Sequence, residues 1–212
     1  MFAVHFLPAL WQSFSRTTSW AAFTSLAVIF VLAGCGEWIA ERAGTINISL
    51  EAMMLGGHFA AAVTFAHSHN IILGTLAAMG AGLVVSWVQA NLSHRLTADQ
   101  FVVGLTLNIL VLGLAQFLNS QLKLKNDLSL AKHWKVPLLW HIPGIGRSLF
   151  TQAWPFYLVV PAVLVAWVVV FRTRWGLEIR SVGEDPQAAD VSGIHVNKRR
   201  REAIYVCGIF GG

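Results

Sequence analysis

The sequence holds 212 residues, 56% of them hydrophobic and only 12% charged, with a formal net charge of +5. Soluble domains carry about 25% charged residues, so about half the expected charge is missing, and the rest is clustered between long apolar runs. This excludes an ordinary soluble core and points the positive balance at lipid headgroups and topology before nucleic acid.

In chain order, Met1 to Trp11 is apolar but short and interrupted by Pro8, without a basic leader or small-residue cleavage site. It reads as an interfacial segment, with Trp11 and Trp20 at headgroup depth. A membrane crossing needs about 20 apolar residues in a helix. Five stretches qualify: Trp20–Gly36, Ile46–Ala66, Ile71–Leu92, Phe101–Leu118 and Trp154–Phe171. A sixth opens near Ile204, behind the basic run Lys198-Arg199-Arg200-Arg201, and reaches Gly212 after only nine residues. The expected fold is an all-α integral membrane protein, a polytopic helical bundle with five complete transmembrane helices and the start of a sixth. Residues 1–212 are expected to form one transmembrane domain that is incomplete at its C-terminus.

Within that frame, Thr97-Ala-Asp-Gln100 reads as a capping box opening the fourth span, with Thr97 as N-cap and Gln100 reaching back. Gly74, Ala78 and Gly82 repeat at four-residue spacing along the third span, a small-residue stripe that lets another helix backbone approach. Cys35 and Cys207 lie in apolar segments and read as small core residues. His67-Ser-His69 offers only two nitrogens with no further ligand nearby and reads as a polar interfacial turn, so no metal is expected. No cofactor motif or catalytic grouping is present in the sequence.

Lys and Arg set the orientation. Residues 172–203 with Arg42 and Arg95 hold nine of them. Arg16 and the connection from Ser120 to Ala153, with Lys123, Lys125, Lys132, Lys135 and Arg147, hold six. The count places 172–203 in the cytoplasm. Trp134, Trp140, Pro137 and Pro143 suggest that the 120–153 connection folds partly on the membrane surface.

Two segments carry candidate chemistry. In Glu178 to Asn197, Asp185 is an N-cap and Pro186 occupies the first helical position, where its missing N–H costs nothing. A short helix then runs to about Ser192, with Ala188 and Ala189 on its surface and Gly193 as a left-handed stop. Such a helix suits docking into a groove on another protein; the bland reading is a solvated linker. The second segment is Glu51, about one turn into the second span, where a carboxylate is costly. Thr45, Asn47 and Ser49 precede it and can satisfy the open amides of a helix start. Two readings stand. Asn47 and Glu51, with Asn108 of the fourth span, line a translocation path, or Glu51 is an interhelical clasp with Arg42 or Arg95. Gln116 shares a face with Asn108, and ordinary interhelical hydrogen bonding explains both equally well.

The order Gly183-Glu-Asp-Pro-Gln-Ala-Ala-Asp-Val-Ser-Gly-Ile194 resembles the cytoplasmic loop of ABC importer permeases, in the group that handles branched-chain amino acids, simple sugars and nucleosides. Glu41 to Gly57 and Leu96 to Asn108 resemble the openings of the second and fourth spans in its nucleoside and simple-sugar branch. The resemblance implies a permease subunit in the bacterial inner membrane, a transport component and not an enzyme. Its implied partners are ATP-binding cassette subunits, a second permease subunit and an extracytoplasmic solute-binding protein. It implies that the loop at 172–203 holds a coupling helix at about 186–192, with Glu184, Asp185, Pro186, Ala188, Ala189 and Gly193 meeting the ATPase. No Gly-x-x-x-x-Gly-Lys occurs in the sequence. The rival readings are an ion-gradient-driven secondary transporter using Glu51 and a membrane scaffold without a pathway.

Overall fold

The computed structural model of the chain describes residues 17–122 and 154–212, and every described element is helical. In chain order these are α1 (Thr17–Arg42), α2 (Leu50–Ser68), α3 (Ile71–His94) and α4 (Gln100–Leu122). A 3-10 turn (Trp154–Leu158) leads into α5 (Val159–Arg172), followed by α6 (Arg174–Glu184), α7 (Pro186–Val191) and α8 (Val196–Gly211). The expectations for the N-terminal segment, and for the 120–153 connection beyond Leu122, lie outside the described residues.

The chain divides into two compact units. In the described part of one, Trp20 and Phe23 meet edge to face on the first turns of α1, with centroids 6.3 Å apart. The other unit, Leu32–Ser129 with Ala162–Gly212, holds the helix bundle and every site considered below.

Among the described residues, three helical segments are long and apolar enough to cross a membrane: Ala22–Arg42, Ile71–His94 and Gln100–Leu122. Phe156–Arg172 and Arg174–Glu184 together pass the same test but are bent by 72°. The second expected span is the helix α2, which Glu51, His58 and His67 leave too polar to join them. The region expected as a loop at 172–203 is largely helical. Thr173 caps α6 by accepting the Gly176 N–H, and the buried Ile179 and Val182 give α6 an inward face. The basic run is not a flank of the last helix either: α8 begins at Val196 and carries Lys198 to Arg201 within its first turns.

The bundle is joined by small residues. In lipid, apolar burial drives no association between helices, so close backbone packing has to do so. The expected stripe on α3 serves this purpose. Gly74 faces Ala61 of α2, and Gly82 receives α8 so closely that a Cβ there would lie 2.1 Å from the Gly208 carbonyl oxygen. Gly212 in turn lies against Ala78. Beneath this crossing, Ala40, Met53, Ala90, Ile204 and Cys207 form a fully buried core. A second core joins Ile39 and Ala43 to Ala166, Val170, Ile179 and Ala203, with Cys35 packed at its edge. The side chains of Phe30, Val84, Val102, Ile109 and Val160 stay more than half exposed, as lipid-facing positions do.

At the α2–α3 corner, His67 Nδ1 lies 2.9 Å from the Val63 carbonyl oxygen, and His69 closes α2 in the left-handed conformation with φ 50°. Asn70 then caps α3 by accepting the Ile72 and Leu73 amides.

Candidate functional site

The helix α7 is built as its sequence predicts. Asp185 Oδ1 accepts the Gln187 and Ala188 N–H groups at 2.9 and 3.0 Å, and Pro186 occupies the first turn. At the other end the Gly193 N–H donates to Asp190 O and the Ile194 N–H to Ala189 O, the paired bonds of a Schellman stop. Gly193 adopts φ +84°, the left-handed conformation that the motif requires. Glu184, Asp185 and Ala188 are exposed. Ala189 is not: it is 4% exposed and forms the inward contact of α7, which corrects its placement on the surface. The outward apolar residue is instead Val191, 91% exposed. The sequence reading passed over it, although it is the apolar residue between Asp190 and Ser192.

Beneath α7, the helices α6 and α8 are riveted together. Arg199 of α8 pairs with both Glu178 of α6 and Glu202 of its own helix, and Trp175 Nε1 donates to Glu202 Oε2 at 2.8 Å. Burial disfavours the Glu202 carboxylate, but the Arg199 and Trp175 hydrogen bonds and the nearby Arg199 and Lys198 charges outweigh it, holding its pKa below the ordinary range. Both helices reach the α1–α2 connection. Gly183 of α6 lies against Arg42 O with no space for a Cβ, and Arg200 Nε of α8 donates to Ala43 O at 3.2 Å.

That connection leads to the second candidate segment, where the structure redistributes the expected roles. Asn47 is 3% exposed. Its side-chain amide donates to Met53 Sδ and Cys207 Sγ, its Oδ1 accepts from Ser49 Oγ, and its N–H donates to Glu37 Oε1. Asn108 clamps the start of α2 from α4: Oδ1 accepts the Ala52 N–H and Nδ2 donates to Ile48 O, both at 2.9 Å. Ser49 is the N-cap residue of α2 but makes no side-chain capping bond, so the open amide of Ala52 is satisfied from another helix. Glu51 is exposed and forms no ion pair among the described residues, which overturns the clasp reading. Arg42 stacks on Trp38 and Phe171, with its guanidinium carbon 5.7 and 5.8 Å from the ring centroids.

The expected capping box at α4 is also replaced. Asp99 is the cap, accepting the Phe101 and Val102 amides at 2.8 and 3.2 Å. Thr97 sits at φ 56° with its hydroxyl on Leu96 O, and Gln100 Oε1 accepts Thr45 Oγ1 and the Ile46 N–H across the bundle. His94 Nε2 lies 2.8 Å from the same Thr45 oxygen.

Two features escaped the sequence reading. Glu37 lies within α1 and organises the Asn47 knot, although a carboxylate in an apolar span was the criterion applied to Glu51. Ser86, Gln89 and Ser93 form a buried polar row on α3, legible from their spacing of three and four residues. Asn108→Ala should cost about 1–3 kcal/mol, because it strands the buried Ala52 N–H and Ile48 C=O; thermal melting in detergent checks this.

Comparison with known proteins adds a lineage to this geometry. The family described as branched-chain amino acid transport system / permease component matches residues 19–212. The chain is 36% identical over 204 residues to the nucleoside ABC transporter permease protein NupC of Lactococcus lactis, covering 90% of this chain and 60% of that protein. It is 35% identical to the guanosine ABC transporter permease protein NupQ of Bacillus subtilis, covering 88% and 62%. To the fructose import permease protein FrcC of Rhizobium meliloti it is 25% identical, covering 87% and 51%. The chain thus spans about three fifths of the length of the first two relatives. No solved structure matches it.

Proposed function

This chain belongs to the permease components of branched-chain amino acid transport systems, and from that premise we propose that it is the transmembrane subunit of an ATP-driven importer that carries part of the path for a nucleoside or simple sugar. The solute class is taken from what the relatives are named for. The partners are ATP-binding cassette subunits that hydrolyse the nucleotide, a second permease subunit and an extracytoplasmic solute-binding protein. The chain itself serves transport and not catalysis.

In this reading the protein is a multi-pass resident of the plasma membrane. The helices α1 to α5 cross the membrane and α8 opens a sixth crossing. Residues 172–203 face the cytoplasm, as the nine-to-six distribution of Lys and Arg favours. The polar α2 can cross because α3, α4 and α8 pack around it. Glu51 is the group offered to the path, held in place by Asn47 and Asn108 at the start of α2.

The observation that carries the proposal is α7, a short helix capped at both ends that exposes Ala188 and Val191, with Glu184 exposed at the end of α6 just before it, while Ala189 is buried and the helix packs on α6 and α8. It is the coupling helix that passes ATPase closure to the membrane. Val191→Asp should lower co-purification of the ATP-binding subunits about tenfold, as the loss of about 1.4 kcal/mol of contact would, and Glu184→Lys should weaken it in the same direction. Both residues are exposed, so membrane insertion should be unchanged. Undiminished recovery of the ATPase with both variants counts against the docking role, and uptake that survives ATP depletion but collapses with the proton gradient counts against the importer.

A further inference from the structure

We infer that the cavity between the α1–α2 connection, the α3–α4 turn and the first turns of α8 binds the headgroup of a zwitterionic phospholipid, its phosphate on Arg200 and Asn197 and its ammonium on Asp99. The cavity has a volume of about 520 Å³, within the range of sites that hold a small molecule and well beyond the needs of one ion.

Its walls carry two opposite charges that do not satisfy each other. Arg200 and Asp99 both line the cavity, yet the ion pairs among the described residues all belong to Arg199. Arg200 is half-buried, and burial pulls its pKa down with no carboxylate to offset the cost. Only its Nε is used, on Ala43 O, so its terminal nitrogens have no acceptor among the described residues. Asp99 spends Oδ1 on the α4 cap and keeps its second oxygen open. Ser93 of the same lining is 7% exposed, and its Oγ has no partner among the described residues. Asn197 is exposed, and its side chain makes no hydrogen bond among the described residues. A ligand that satisfies this wall needs an anion and a hydrogen-bonding cation a short distance apart, which is the chemistry of phosphoethanolamine.

Position favours the lipid over the free zwitterion. The cavity lies at the ends of two helices apolar enough to span a membrane, α3 and α4, so it sits where headgroups sit. Ile46 and Phe101 form part of its lining and are 51% and 57% exposed. From Phe101 the exposed face of α4 continues through Val102, Leu105 and Ile109, a track for an acyl chain leaving the headgroup. Basic pockets between membrane helices are established headgroup sites; here the added carboxylate selects for an ammonium that can donate hydrogen bonds.

Native mass spectrometry of the purified 212-residue chain in detergent tests this with phosphatidylethanolamine, phosphatidylcholine and phosphatidylglycerol of matched acyl chains. Phosphatidylethanolamine should be retained about fivefold over each of the others, the factor that about 1 kcal/mol per charged contact carries. Asp99→Asn preserves the helix cap and should erase the advantage over phosphatidylglycerol. Asn197→Leu should lower retention of phosphatidylethanolamine, and Arg200→Gln should lower it further. Because Arg200 also holds Ala43 O, its variant is scored beside Asn197→Leu, which breaks no side-chain hydrogen bond among the described residues. Equal retention of the three lipids, or an unchanged preference in Asp99→Asn, overturns the site. Soluble phosphoethanolamine raising the melting temperature as much as the lipid overturns the lipid as its occupant.

Discussion

Gly82→Val should remove the folded bundle, with a loss of about 3 kcal/mol or more. A Cβ at position 82 lies 2.1 Å from the Gly208 carbonyl oxygen and 2.9 Å from Gly212 Cα. Both obstacles are backbone, so no rotamer change relieves them. α8 has to withdraw from α3, taking Ile204 and Cys207 away from Ala40, Met53 and Ala90. The Asn47 knot loses its Cys207 contact in the same movement. Gly80, two residues earlier, has nothing within 4 Å of an added Cβ, so Gly80→Ala should not destabilise the bundle and should gain about 0.5–1 kcal/mol of helix propensity. Size-exclusion profiles and thermal melting in detergent compare the two. A Gly82→Val protein that elutes and melts like the parent would show that the α3–α8 crossing is not what joins the bundle.

The stripe containing Gly82 shows what a sequence can and cannot disclose. Its four-residue spacing on an apolar helix announces a close backbone neighbour, because that is a local property of α3. The identity of the neighbour is not local: Gly208 lies more than a hundred residues away. The same divide runs through the sites. Asp185, Pro186 and Gly193 specify α7 through bonds that span only two to five residues, and the helix forms as read. Thr97 to Gln100 fit a capping box equally well as a local pattern. There the Gln100 side chain is claimed by Thr45 and Ile46 from another part of the bundle, and Asp99 takes the cap. Glu37 was missed for a related reason. The expected first span stops at Gly36, one residue short of Glu37, whereas the Asn47 N–H satisfies Glu37 inside a helix that runs on to Arg42. Side chains whose partners are distant in sequence are legible as unusual, but not as to their role.

On the proposed coupling role of α7, Arg199→Met is expected to leave the ATP-binding subunits bound while uptake falls by about tenfold, the effect of about 1.4 kcal/mol on a coupled step. α7 rests on α6 and α8, and Arg199 is the bridge between those two helices through Glu178 and Glu202. The side chains are 23%, 31% and 28% exposed, so the bridge falls between exposed pairs, worth about 0.2–1 kcal/mol, and buried ones, whose breakage costs about 3–5 kcal/mol. Removing the guanidinium strands both carboxylates and leaves Trp175 as the remaining hydrogen bond to Glu202. A push on α7 then separates α6 from α8 instead of reaching Arg42 and Ala43 through Gly183 and Arg200. Val191, on the proposed docking face, is untouched, so association and transport should part company. The pH dependence has a definite sign. The Glu202 pKa is depressed in the folded protein, so its stabilising contribution is full above the ordinary glutamate value of about 4.3 and is lost as pH falls through the folded value. Acidification through that window should lower the melting temperature of the parent more than that of Glu202→Gln. Uptake by Arg199→Met at the parental rate would mean that the path from α7 to the α1–α2 connection does not run through this bridge.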